Sequence, residues 1–244
     1  MSPAAAAVAA LLGAALQSAT GFGFSVVAAP LLVAVFGPGT AVSTMVVLAF
    51  VVTSLTVAGE GRRPRVPVAE VAALIAWTVP GLLAGALALR VVPERALALL
   101  VAVVVLVAVA LRLGARAPAP ARAGRPSAGR TAVVGLASGT LGASTGLSGP
   151  PVVFHLLGRG LDPARMRDTL AVVFMAGYVL TAAALVATGA FALPAELPLL
   201  LACTVAGQVA GRPVFAALHG ERYERAVLAV LALTGVLALV ASAT

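Results

Sequence analysis

Two short stretches carry most of the chemistry this sequence offers. The first is Thr20-Gly21-Phe22-Gly23, with Ser25 just beyond it; the second is Thr145-Gly146-Leu147-Ser148-Gly149. Each interrupts a long apolar run without bringing in a charge. Glycine lets the backbone turn and lets a ligand approach it closely, and the hydroxyls of Thr20, Ser25, Thr145 and Ser148 add hydrogen-bond donors. A helix that starts just after such a break shows its first free amide N–H groups and the positive end of its dipole there. That arrangement holds an anion without a basic side chain. The candidate substrate-binding residues are therefore Thr20, Gly21, Phe22, Gly23, Ser25, Thr145, Gly146, Ser148 and Gly149.

Four more polar residues lie within apolar runs. Gln17 and Gln208 read as interhelical hydrogen-bonding groups, with pore lining as the alternative. His155 is able to carry a coupling proton, or else to bond a backbone carbonyl opened by Pro150-Pro151. Arg212, in AGQVAGRPVF, is either a bidentate oxyanion clamp or an arm that snorkels from the inner end of its helix. An intramembrane hydrolase would have to rest on Ser148 and His155, which stand seven residues apart across two prolines. No G-x-x-x-x-G-K-[ST] phosphate loop is present, so the chain does not itself hydrolyse a nucleotide. Cys203 is the sole cysteine, which excludes an internal disulfide and suggests no metal cluster. These features point to transport rather than enzymatic catalysis, with no cofactor.

The elements that must position these residues are membrane helices. Of 244 residues, 61% are hydrophobic and 10% charged, against roughly 25% charged in soluble domains. Uncharged runs cover Met1 to Gly59, Ala96 to Leu111, Thr131 to Gly158, Thr169 to Ala195, Leu197 to Gly211 and Ala226 to Thr244, and about 20 apolar residues cross a bilayer. The chain reads as an all-α polytopic integral membrane protein. The net charge of +8 does not signal nucleic-acid binding. All 16 basic residues are arginine and they lie almost wholly in short segments between apolar runs, as in cytoplasmic loops. No basic residue precedes the first apolar stretch, which argues against a cleaved signal peptide.

Spanning helices are expected at about 40–59, 67–89, 95–113, 168–190, 194–217 and 223–242. A Pro-, Ala- and Arg-rich linker, 115–130, joins two halves, 1–114 and 131–244. A shift of 125 residues lays Thr20-Gly21 on Thr145-Gly146, Leu31-Leu32 on Leu156-Leu157 and Thr44 on Thr169; with one-residue gaps, Gly81 and Gly85 fall on Gly207 and Gly211, and Glu94-Arg95 on Glu221-Arg222. Such an internal repeat is common among secondary transporters. The Gly81/Gly85 and Gly207/Gly211 pairs are also small-xxx-small motifs suited to close helix packing. Trp77 reads as packing, and Asp162, Arg165, Arg167 and Asp168 as a solvated loop rather than an ion-pair gate.

Loop charge decides how the halves are oriented. If the stretches containing Thr20 and Thr145 each cross once, loop arginines divide eight to seven between the two faces. If each enters and returns as a hairpin, at about 4–36 and 131–157, thirteen fall on one face and only Arg90 and Arg95 on the other. The second arrangement satisfies the positive-inside rule. It implies two inverted repeats, each a broken or re-entrant helical hairpin plus three transmembrane helices. Both termini then face the periplasm, and the two hairpins point towards each other from opposite sides. Re-entrant hairpins and pairs of short full crossings share this loop topology.

With GFGFSVVAAPLL and GLSGPPVVFHLL each followed by three apolar helices, the chain resembles the sulfite exporter TauE/SafE family of bacterial membrane transporters. The likeness extends over nearly the whole chain and bears on Gly21, Gly23, Pro30, Gly146, Gly149 and Pro151. It departs from the family's triple-glycine form, since Phe22 and Phe24 flank Gly23 and Leu147-Ser148 separate Gly146 from Gly149. The resemblance implies a transporter of sulfite, organosulfonates or related small anions in the bacterial inner membrane. The expected partners are a small anionic substrate and the lipid bilayer, with proton coupling and facilitated diffusion as the two open modes of transport. A membrane scaffold without transport is the competing reading, disfavoured because the longest exposed segment is a low-complexity linker.

Overall fold

A computed structural model describes residues 2–91, 127–145, 148–187, 191–217 and 221–243, with 96, 99, 103, 106, 109, 110 and 189. The described residues form helices and no strand. In chain order these are α1 (Pro3–Thr20), α2 (Phe24–Phe36), α3 (Pro38–Gly59), α4 (Val68–Val91), α5 (Ala128–Thr145), α6 (Gly149–Leu157), α7 (Pro163–Ala187), α8 (Leu197–Ala217) and α9 (Glu221–Ala243). Five candidate spans, within α1, α3, α4, α7 and α8, are long and apolar enough to cross a membrane. The expected helix at 95–113 lies mostly outside the described residues, although its described positions at 96, 99, 103, 106, 109 and 110 are helical. The linker from 115 to 126 lies outside them too.

Both expected hairpins are broken helices. In the first, α1 ends at Gly21 and α2 begins after Gly23; in the second, α5 ends at Thr145 and α6 begins at Gly149. At 1.5 Å per residue, the 13 residues of α2 and the nine of α6 extend about 20 and 14 Å. Neither reaches across a hydrocarbon layer of about 30 Å by itself. After α2 the chain turns again at Gly37, with φ 76°.

The residues form two compact units, each drawing on both halves of the sequence. The first comprises Met1–Arg65 and Arg167–His219; the second, Val66–Met166 and Gly220–Thr244. In the first unit α1 packs on α8, α2 and α3. Its core is made of small and medium side chains, Ala6, Ala10, Ala14, Ala28, Ala41 and Ala49 with Phe24, Leu32, Leu48 and Leu200. Lipid offers no hydrophobic drive between helices, so close backbone approach has to supply the contact. A methyl group at Gly207 or Gly211 of α8 would overlap the backbone carbonyls of Leu11 or Ala15 in α1.

The second unit repeats that contact with other helices. Here α4 packs on α5, and a methyl at Gly81 or Gly85 would overlap the carbonyls of Leu136 or Thr140. Leu136 and Thr140 stand 125 residues after Leu11 and Ala15, while Gly207 and Gly211 stand 126 after Gly81 and Gly85. The two close contacts therefore use positions that the sequence shift pairs. The second crossing is reinforced by Gly135 and Gly139 against α4, and by the Thr140 hydroxyl donating to the Gly81 carbonyl at 3.1 Å.

Sequence boundaries needed one substantial revision. α7 begins at Pro163, five residues before the expected start at 168. Asp162 accepts the Arg165 backbone N–H at 2.9 Å, a capping bond that satisfies a free amide. A polar first turn looks like loop when only apolar content is read.

Candidate functional site: the helix breaks and a buried arginine

The first break is a backbone device. Gly21 has φ 89° and Gly23 φ 102°, both left-handed, a region L-residues enter at a cost of about 1–2 kcal/mol. The Gly21 N–H closes α1 on the Gln17 carbonyl at 2.7 Å. The Thr20 hydroxyl lies 2.9 Å from the Leu16 carbonyl and 2.8 Å from that of Phe22, so it staples the turn rather than standing open to a ligand. Val26 is the first amide of α2 with a backbone acceptor, Gly23 at 3.1 Å. Among the described residues the N–H groups of Phe22, Gly23, Phe24 and Ser25 have no backbone acceptor. Phe22 is buried and Ser25 half-buried.

Alongside this turn runs Arg167. Its Cγ and Cα lie 3.2 and 3.4 Å from where a Gly21 β-carbon would be, and the residue is only 5% exposed. Its Nη1 donates to Glu60 Oε1 at 3.2 Å. The next residue, Asp168, also buried, takes Arg62 bidentately at 2.7 and 3.3 Å and the Arg65 backbone N–H at 2.8 Å. Arg62 reaches Glu60 as well, at 3.3 Å. The hydrogen bond that Arg62 donates to Asp168 raises the arginine's pKa above its already high ordinary value, so the guanidinium keeps its charge. The solvated-loop expectation holds for Asp162 and Arg165, which are exposed, but not for Arg167 and Asp168.

The second break differs chemically from the first. Gly146 and Leu147 lie outside the described residues, as does the Thr145 side chain. Ser148 precedes α6 with its carbonyl accepting the Ser138 hydroxyl at 2.8 Å, and its Cβ lies 3.0 Å from where one at Gly142 would be. Gly149 opens α6, but Pro150 and Pro151 follow it and carry no N–H. At the same stage of α2 stand Ser25, whose N–H lacks a backbone acceptor, and Val26, whose N–H is bonded to Gly23, so one free donor of the first break is missing here.

Matching the chain against protein families gives the family described as sulfite exporter TauE/SafE, over residues 5–238. The chain belongs to the sulfite exporter TauE/SafE family. It is therefore a multi-pass membrane protein of a family that transports sulfur anions, not of an enzyme family. No curated protein and no solved structure gives a significant match.

The remaining polar candidates are distributed through the two units. Gln17 donates to Thr53 at 2.8 Å and Gln208 to Thr56 at 2.8 Å, while the Ser18 hydroxyl donates to the Gln208 carbonyl at 2.9 Å. These bonds tie α1, α3 and α8 together within the first unit. The Gln208 side-chain oxygen is buried with no partner among the described residues. Arg212 is exposed and donates to the Leu55 carbonyl at 3.0 Å, its guanidinium lying against Gly59 near the end of α3. In the second unit His155 is 2% exposed and sits 2.6 Å from Glu70, not on Ser148.

Sequence reasoning missed Arg167 as part of the break and missed Glu70 altogether. Both lie within a turn or two of a charged loop, where composition alone reads as solvated surface. The one available signal for Glu70 was its register: a shift of 126 lays it on Glu196.

Proposed function

We propose that this protein is a secondary transporter that moves sulfite, an organosulfonate or a related small organic anion across the bacterial inner membrane, by alternating access at its glycine-rich helix breaks. Two inverted repeats, residues 1–114 and 131–244, each contribute one re-entrant hairpin, and the termini face the periplasm. Protons are the coupling ion. In the first unit the amides around Phe22–Ser25 hold an anion, and in the second unit those around Gly146–Gly149 offer a separate anion site.

The observation that carries this reading is Arg167. A buried arginine in a membrane protein is costly and by default functional, and this one runs against the break whose amides lack acceptors. Family membership supplies the class of substrate. Arg167 adds a permanent cation, whose planar guanidinium has the geometry for bidentate contact with an oxyanion, to a site otherwise built of neutral amides. An arriving oxyanion competes with Glu60 for that guanidinium, and Glu60 keeps Arg62 as partner when Arg167 turns away. Anion arrival is thereby tied to the ion pairs that hold the 60–65 loop to the start of α7.

Reconstituted protein should transport sulfite saturably. Arg167→Gln should raise KM at least tenfold, because a hydrogen bond to a charged group is worth about 1.5–3 kcal/mol, and Arg167→Lys should recover part of that loss. An unchanged KM in a folded Arg167→Gln protein would remove arginine from the site.

A further inference from the structure

We infer that Glu70, His155 and Arg159 form a proton-binding site in the second unit, with the His155–Glu70 pair taking up and releasing the proton that the transport cycle couples to the anion. The inference rests on the transport reading above and names the atoms at which its coupling ion is bound. His155 Nε2 lies 2.6 Å from Glu70 Oε1, and Arg159 Nε lies 3.3 Å from the same oxygen. The side chains of His155 and Glu70 are 0% and 3% exposed. His155 Nδ1 is buried and has no partner among the described residues. The charged groups facing His155 are Glu70 from α4, Arg130 from α5 and Arg159 just after α6.

This cluster is built for a change of charge rather than for permanent pairing. Arg159 already offers Glu70 a cation, so a histidine is not needed to neutralise the acid. What histidine adds is a group whose charge changes in the physiological range. The duplication isolates the feature: at a shift of 125, His155 falls on Pro30, which cannot titrate, whereas Glu70 has a counterpart in Glu196. Only the second hairpin carries the titratable base.

The same short helix links this site to the second break. Gly149 opens α6 and His155 lies six residues on, in its last turn, about 9 Å along the axis. A unit charge appearing at that distance changes the affinity for an anion at the break on the order of tenfold at an effective dielectric constant of about 20. Linkage requires anion binding to change proton affinity by the same factor. An imidazolium in the last turn also complements the helix dipole. One proton on His155 therefore favours the loaded site, and its loss favours release.

The test uses the full-length protein in proteoliposomes, with sulfite and, separately, methanesulfonate, whose charge does not change with pH in this range. For wild type, His155→Gln and Glu70→Gln, accumulation driven by a pH gradient is compared with exchange at equal pH. The expected result is a ratio of gradient-driven to exchange flux at least tenfold lower in both variants. A ratio equal to that of wild type in both overturns the proposal. Histidine-selective 15N NMR in nanodiscs provides a readout independent of flux, since the chain has only His155 and His219. His219→Gln assigns the signals should His155→Gln not fold. A His155 signal that titrates between about pH 5 and 8, and moves in Glu70→Gln, supports the site even if neither anion is transported. That combination would refute the proposed substrates while leaving the proton site standing. A His155 signal that does not titrate overturns the site whatever the fluxes show.

Discussion

Replacing Gly21 with alanine tests whether the first break must keep its observed backbone. Gly21 sits at φ 89° and ψ −3°, where an alanine pays about 1–2 kcal/mol. Its new methyl would also meet Arg167 Cγ at 3.2 Å and Cα at 3.4 Å. Because the nearest atom belongs to a side chain that can shift, overpacking adds only about 1 kcal/mol. The total of about 2–3 kcal/mol corresponds to roughly a 30- to 150-fold shift away from the native break. Asparagine separates the two contributions: it tolerates the left-handed region but keeps the β-carbon. Gly21→Asn should recover about 1 kcal/mol, or roughly fivefold, of what Gly21→Ala loses. The assay is the initial rate of sulfite uptake at matched incorporation, alongside thermal unfolding in detergent. Wild-type uptake and melting in Gly21→Ala would refute the claim that this conformation matters. Equal loss in both variants would refute the conformational part and leave the Arg167 contact as the cause.

Two further substitutions follow from the packing and the ion pairs. Gly207→Ala, whose methyl meets the Leu11 carbonyl, should cost about 1–3 kcal/mol by overpacking, whereas Gly177→Ala in α7, with nothing within 4 Å, should gain about 0.5–1 kcal/mol; unfolding by SDS titration compares their signs. Asp168→Asn weakens the bidentate Arg62 contact and the tether to the Arg65 backbone, so limited trypsin treatment should cut after Arg62 and Arg65 several times faster than in wild type, and an unchanged cleavage rate would mean that the loop is held elsewhere.

Local chemistry by itself determined much of this protein. Apolar run length marks a helix wherever it lies, and glycine followed by proline or glycine punctuates it, so both breaks and the described membrane helices were legible within a few residues. The recurrence of Thr20-Gly21 and of Gly81/Gly85 at shifts of 125 and 126 belongs to the sequence alone, because these residues are spaced by the chain and not by the fold. Only tertiary structure decided which helices meet. α1 takes its close partner α8 from the other half of the sequence, as α4 takes α5, and small-residue contacts of this kind carry no mark naming the partner. The fate of the charges depended on that choice. Arg167 and Asp168 look like loop residues until 60–65 folds over them, and Glu70 looks like a solvated first-turn acid until His155, 85 residues away, is brought to 2.6 Å. Burial of a charge is set by what covers it, and the covering segments are distant in sequence.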